Sequence, residues 1–536
     1  MTLSTSGFSS NCSAMQPVQV STKHKLVGVP FDQAIRNLYP SAPEMNFAGA
    51  KHLLVPHTPT ETFILRKHGF DVPSPILTHY DWAGGDPFDV QKKTCSVLTT
   101  NQRAYVLNGM GTGKTKAALW AWDYLRSNGL CKKALVLAPL STLNFTWARE
   151  VFATLPHRKC AVLHGTKKLR TDRLADPEPE IYVINHDGTK VIEKEIIAAI
   201  ASGEIDTLIV DELAIYRNGG AQRTKSVRKI AALCSWVWGL TGSPIPTSPT
   251  DAWAQCSIVT PNTVPKYFGR FRDELMIRVN QFKWAPKSDA VDRAFAAMQP
   301  AVRFTLEDVV ELPECVERTV DIELGAQQKK IYKEIADSCY AAVQSDEITA
   351  ANAGAMMMKL LQISTGWVYT KDKNVVALDN DKRIEALVDA VNSTDRKVLV
   401  FVPFKHALEG ISAAFTREGI DHACVDGDTQ ARDRDNIFNL FQNTDKYRVI
   451  AAHPQCLAHG ITLTAADTVI WFAPVTSLEI YDQANARIRR VGQKYKQLYL
   501  HFQSTQVEKR IYQMLQGKQK VQDQLLGLFE EASRAA

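Results

Sequence analysis

Two stretches of the chain carry short, uninterrupted apolar runs separated by helical segments. The first holds Ala104–Leu107, Ala134–Leu137, Ile181–Ile184, Leu208–Val210 and Val237–Leu240. The second restarts near residue 382 with Lys397–Phe401, Tyr447–Ala451, Thr468–Phe472 and Gln497–Phe502, which are mostly apolar but admit Lys397, Arg448, Gln497 and His501. Runs apolar at every position predict parallel strands covered on both faces. Helical segments lie between them, among them Trp120–Arg126, closed by Asn128-Gly129, Val191–Ala201, and one ending at Gly419. Strand and helix in alternation predict an α/β fold of two tandem doubly wound parallel-sheet lobes.

The spacing divides the chain at residues 1–80, 81–255, 256–380, 381–505 and 506–536. These read in turn as a Ser/Thr-rich leader with a small accessory module, a first lobe, a helical intervening region, a second lobe and a C-terminal helix. Residues 25–80 show no clear period, and a Gly84-Gly85-Asp86-Pro87 loop separates them from the first lobe. In the intervening region, Met356–Leu361 reads as a helix whose methionines fill core space.

Composition narrows the class only a little. With 45% apolar and 22% charged residues the chain is an ordinary globular protein with sizeable cores. A net charge of +6 suits a phosphate-bearing partner, but spread over 536 residues it decides little without local clustering. The ten cysteines stand singly, without the C-x-x-C or Cys/His spacing of a zinc site, which suggests reduced thiols. No run approaches the roughly 20 apolar residues that span a bilayer, and Met1–Lys25 lacks a secretory pattern. The expectation is a cytoplasmic protein with no membrane contact.

Local chemistry is more specific. Asn108-Gly109-Met110-Gly111-Thr112-Gly113-Lys114-Thr115 lies between a strand and a helix, where glycines let backbone N–H groups wrap phosphates. Lys114 would hold the terminal phosphates of ATP and Thr115 a Mg²⁺ ion. The strict pattern has Gly where this chain has Asn108. A strand ending in Asp211-Glu212, 97 residues after Lys114, places Asp211 to hold Mg²⁺ and Glu212 to polarise the attacking water. Arg487 and Arg490 are three apart on an expected helix and share one face, from which both could reach a developing phosphoryl charge. Spacing alone favours a solvated basic face, the usual meaning of three arginines in four residues.

These blocks, in this order, resemble the motifs of superfamily 2 helicases, and several narrow the resemblance to the Swi/Snf-type ATPases. They are Met110–Thr115, Pro139–Leu143 with Trp147 and Glu150, Leu240–Ile245, Asp426-Gly427 with Arg434, His459–Thr468 and Arg490–Gln493. The resemblance covers about residues 88–520. It implies two RecA-like lobes, with Gln91 reading adenine beside Phe88, and Gly109, Met110, Gly111, Thr112, Gly113, Lys114 and Thr115 holding ATP. It implies Thr241, Ser243 and Gln483 as coupling residues and Arg487 and Arg490 as arginine fingers. Pro139, Leu140, Ser141, Thr142, Asn185, His186, Gly460, Thr462 and Thr464 would line a nucleic-acid track.

The function so implied is a DNA-dependent ATPase motor translocating on double-stranded DNA, remodelling DNA structures or displacing bound proteins. The alternative is a strand-separating or annealing helicase acting on forks. A non-motor clamp is disfavoured, because every residue of the expected hydrolytic set is present. Three departures stand out: Asp211–Ala214 reads DELA where the family usually has DEAH, Ala486 replaces an Asp, and His453-Pro454 replaces a Ser-Thr segment. They suggest a compact microbial or bacteriophage branch. Segments Leu53–His57 and Leu65–Gly69 faintly resemble the substrate-recognition modules of annealing-type members, so the N-terminal module could also bring protein partners. Nine basic residues against one acid, Glu508, between Gln483 and Lys520 suggest a basic rim.

Overall fold

The computed structural model describes residues 16–281, 283–344, 350–369, 374–457 and 462–517. Two parallel sheets dominate it. The first lobe has seven strands, in the order Ala301–Val302, Arg103–Val106, Trp236–Leu240, Ile205–Val210, Lys133–Ala138, Ile181–Asn185 and Cys160–Val162. The second has six, in the order Cys315–Asp321, Gln497–Gln503, Ala466–Trp471, Lys397–Phe401, Val449–Ala452 and His422–Val425. Helices cover both faces, and the strands' apolar side chains are almost entirely buried, as continuous apolar runs require. The predicted fold class holds.

The order of strands in the first sheet positions the chemistry. Four adjacent strands, ending at Val106, Leu240, Val210 and Ala138, are followed respectively by the glycine loop, Thr241-Gly242-Ser243, Asp211-Glu212 and Pro139–Thr142. The next strand ends at Asn185, followed by His186. Every first-lobe motif after Gln91 therefore emerges on the carboxyl edge of one sheet, where open α/β folds bind their ligands.

The intervening region carries helices, among them Phe268–Leu275 and Ala290–Ala297, and also lends a strand to each sheet. Ala301–Val302 pairs with Tyr105 and Val106 as an edge strand of the first sheet, and Cys315–Asp321 pairs along Gln497–Gln503 as an edge strand of the second. These strands are missed because edge positions do not demand apolar residues: Cys315–Asp321 reads CVERTVD and is half exposed. The same region adds the helices Ala326–Gln344 and Ala350–Thr365 and a hairpin, Met276–Arg278 with Trp284–Pro286. The methionine run is only partly core: Met357 packs against the second lobe, while Met358 stays exposed.

The N-terminal module is ordered where periodicity gave no signal. An antiparallel sheet runs Gln19–Ser21, Leu26–Pro30, Ala50–Pro56, Glu44–Phe47. With the helices Gln33–Leu38 and Pro59–Lys67 it encloses a separate small core of Val27, Val29, Ile35, Leu53, Val55, Leu65, Phe70 and Val72. Among the described residues no helix is long and apolar enough to cross a membrane.

Residues 506–517 form the described part of the C-terminal helix; the rest of the basic Lys509–Lys520 stretch falls outside the described residues. One buried ion pair fastens this helix. Arg383 donates to Glu508 at 2.7 Å, with both side chains at most 2% exposed, and also reaches Ser364 O and Phe502 O. Glu508 in turn accepts from the Ser504 and Thr505 N–H groups. Removing one partner of a buried pair strands the other charge, so Glu508→Gln should destabilise the second lobe by about 3–5 kcal/mol, measured as a lower urea midpoint. An unchanged midpoint would show the pair to be dispensable.

Candidate functional site

The glycine loop is shaped by two residues in the left-handed region, Gly111 at φ +80° and Gly113 at φ +78°. Only glycine takes such angles at no steric cost, and a Cβ at Gly113 would collide with the Gln91 amide. Asn108, the departure from the strict pattern, is buried and clamps the loop base: its amide N–H donates to Thr94 Oγ1 at 2.9 Å and its carbonyl accepts from Phe304 N at 3.0 Å. A glycine there would leave the loop without these ties. The Lys114 ammonium donates to Asn108 O and Gly109 O at 3.0 and 3.1 Å. Thr112 Oγ1 closes the turn on Gly109 O.

Gln91 is buried. Its carbonyl accepts from Phe88 N at 2.8 Å and its amide N–H donates to Gly113 O at 3.3 Å, so it props the loop from behind. Phe88 is half exposed beside it.

Across from the loop stands the acidic pair. Asp211 accepts from Trp147 Nε1 at 2.8 Å and from the Glu212 backbone N–H at 3.1 Å. Glu212 adopts φ +50°, a left-handed conformation that costs a non-glycine residue on the order of 1–3 kcal/mol and persists where surrounding structure fixes it. Leu213 and Ala214, the departures in this motif, are buried in the short helix Leu213–Tyr216.

The second lobe supplies the arginines, though not from a helix. The helix Leu478–Asn485 ends before them, and Arg487–Arg490 follow it as turns and bends. The expected shared helix face is therefore replaced by a turn, whose Arg487 Nε–H donates back to Gln483 O at 2.7 Å. That turn still delivers both guanidiniums: Arg490 comes against Gly111 and donates to Thr462 Oγ1 at 3.0 Å, and Arg487 is 4% exposed. Arg489 turns away to pair with Glu307 at 2.7 Å.

One cleft of about 580 Å³ is lined by Gly111, Gly113, Lys114, Thr115, Asp211 and Glu212 from the first lobe and by Thr462, Arg487 and Arg490 from the second. Lys116, Thr142, Thr146, Arg149 and Glu150 also line it, with Met110, Ala153 and Val491. Five basic side chains (Lys114, Lys116, Arg149, Arg487, Arg490) face three acidic ones (Glu150, Asp211, Glu212), an excess of two positive charges that suits a polyanion. Burial dominates the proton equilibria. It lowers Lys114, against the pull of Glu212 and Asp211, and lowers Arg487 to about 9, helped by Arg490. Burial first, then Asp211, pushes Glu212 up to about 7.

Thr115 and Asp211 offer two oxygens to the same cleft, the small donor set with which Mg²⁺ is held when phosphates complete its shell. The residues fit that ion.

The remaining motif residues divide. Thr241 is buried and its Oγ1 accepts from Ser243 N at 3.2 Å, beside the loop; Gln483 is buried. Leu140 is exposed and Ser141 half-buried, whereas Thr142 Oγ1 donates to Pro139 O at 2.9 Å. His186 is buried against the Tyr216 hydroxyl, so its side chain turns inward, whereas Asn185 is half-buried and accepts from Arg170. Thr464 accepts from Gln442. Gly460 lies outside the described residues. Sequence reasoning missed Asn108 as a clamp, Thr462 as the arginine's partner, and Arg303, whose Nη1–H donates to Leu107 O at the loop's base; none of the three follows from spacing alone.

Residues 91–370 match the SNF2-related domain and residues 382–492 the helicase conserved C-terminal domain. The chain belongs to the SNF2-related family of superfamily 2 helicase-type ATPases. It is 25% identical over 438 residues to an uncharacterised ATP-dependent helicase of Mycoplasma genitalium, covering 80% of this chain and 41% of that protein. It is 28% identical over 410 residues to protein p41 of Acyrthosiphon pisum secondary endosymbiont phage 1, covering 72% of this chain and 85% of that one. The chain thus spans about two-fifths of the Mycoplasma relative's length. Among solved structures, the Sulfolobus solfataricus SWI2/SNF2 ATPase core in complex with dsDNA is similar at 20% identity and a TM-score of 0.40, over 85% of this chain and 96% of that chain.

The raised Glu212 carboxyl gives a pH test. Were Glu212 the group that takes a proton from water, ATPase kcat/KM should rise with pH through about 7 and fall below it. A profile flat from pH 5.5 to 8 would remove Glu212 as the titrating base.

Proposed function

We propose that this SNF2-family chain is an ATP hydrolase driven by DNA, which uses turnover to translocate on double-stranded DNA and so remodel DNA structures or displace bound proteins. The observation that carries the reading is the shared cleft, in which Lys114, Asp211 and Glu212 of one lobe face Arg487 and Arg490 of the other.

Lys114 and the loop N–H groups would neutralise and orient the β- and γ-phosphates. Mg²⁺, held through Thr115 and Asp211, would supply charge neutralisation on those oxygens. Glu212, as carboxylate, would orient the attacking water and accept its proton. Arg487 and Arg490 would meet charge that develops on the γ-phosphate oxygens, a role that requires the lobes to be closed. Hydrolysis weakens the bridge between lobes, so a backbone held by both is gripped alternately.

DNA as the partner is supported by family membership. The exposed Leu140 and half-buried Ser141 at the carboxyl edge of the first sheet are a surface a phosphate backbone could follow. Contacts to phosphates would make binding sequence-independent and strongly salt-dependent.

Steady-state ATPase measured with duplex DNA, single-stranded DNA and RNA tests the reading: duplex should raise turnover many-fold, and equal rates without nucleic acid would defeat it. Glu212→Gln should retain ATP binding and lose turnover. Arg490→Ala should fold normally and lose about 10³-fold in kcat, the usual worth of an arginine finger. Unwinding of forked duplexes without translocation on blunt ones would instead favour a strand-separating enzyme.

A further inference from the structure

The segment joining the expected track to the catalytic carboxylates has an unusual backbone. After the strand Lys133–Ala138, the chain makes a tight 3₁₀ turn at Leu140–Thr142, a wide π-helical turn at Leu143–Ala148, and an α-helix at Arg149–Thr154. The Arg149 N–H reaches back five residues to Asn144 O, the mark of the π form. Such turns are costly and cluster at functional sites.

Here the wide turn has an identifiable product. It sets the fully buried Trp147 so that its indole N–H meets Asp211 Oδ2 at 2.8 Å. Thr142, Thr146, Arg149 and Glu150 of the same stretch line the cleft, and Leu140 at its start is 58% exposed. One continuous piece of backbone therefore has a surface end, a cleft wall and a hydrogen bond to the carboxylate.

We propose that Trp147 is a positioning residue that couples the surface segment Pro139–Thr142 to Asp211, so that a DNA backbone docked on that segment sets the carboxylate's orientation toward Mg²⁺. The inference rests on the cleft being the ATP site. An indole has a single donor, so Asp211 Oδ2 is held in one direction only while the π turn keeps its register. A change of that turn toward α geometry would rotate the indole away and release the carboxylate.

Trp147→Phe tests this, together with 5-fluorotryptophan labelling, in which the resonance missing from the variant's spectrum identifies Trp147. In nucleotide-free wild type, duplex DNA should shift that resonance. Partners outside a metal's ligands typically tune affinity or activity by 10–100-fold, so the variant should need about tenfold more Mg²⁺ for half-maximal rate, with KM for ATP within about twofold. Its Mn²⁺ affinity in the ADP complex, read by electron paramagnetic resonance, should weaken similarly. If Trp147→Phe fails to fold, a benzothienylalanine at 147, which keeps the ring shape without the N–H, takes its place. An unmoved resonance on a DNA-bound protein, or an unchanged metal dependence, overturns the coupling. Absence of wild-type ATPase would instead count against the motor, leaving the resonance test standing.

Discussion

Lys114, Asp211, Glu212 and Arg490, all half-buried, and the buried Arg487 line one cleft between the lobes, and the candidate site depends on holding those charges together. Each alone would be costly to bury; together they nearly balance, with a positive remainder that an anionic substrate would cancel. The first lobe supplies its share from adjacent strand ends, the geometry least demanding of long or mobile supports. The second supplies its share from one turn anchored by Gln483 O. Rigid sheets on both sides make the cavity a property of how the lobes meet.

Much of this was legible in the sequence for a definite reason. Strands buried on both faces must be apolar throughout, and the loop between Val106 and Lys114 must carry glycines where φ is positive. Those demands write themselves into residue identity, so both lobes, the phosphate loop and the acidic pair could be read directly. Other features place weaker demands. The edge strand Cys315–Asp321 tolerates Glu and Arg, and the N-terminal sheet, small and one-sided, never builds a long period.

The arginines show a different limit. Spacing suggested a helix face, yet what brings Arg487 and Arg490 to the cleft is a turn after the helix stops. His186 makes the converse point: a motif position can be filled by a side chain that packs inward, onto Tyr216.

The two edge strands of the intervening region also govern how the halves can move. Ala301–Val302 is stitched to one sheet and Cys315–Asp321 to the other, so residues 303–314 are the covalent crossing between them. Within that crossing Arg303 is bonded to the base of the phosphate loop and Glu307 to Arg489. The first tie is buried; the second, a partly exposed ion pair, is the weaker of the two. The covalent link between the halves thus begins at the floor of the phosphate loop, so any change in how the two sheets meet would reach the nucleotide end of the cleft first.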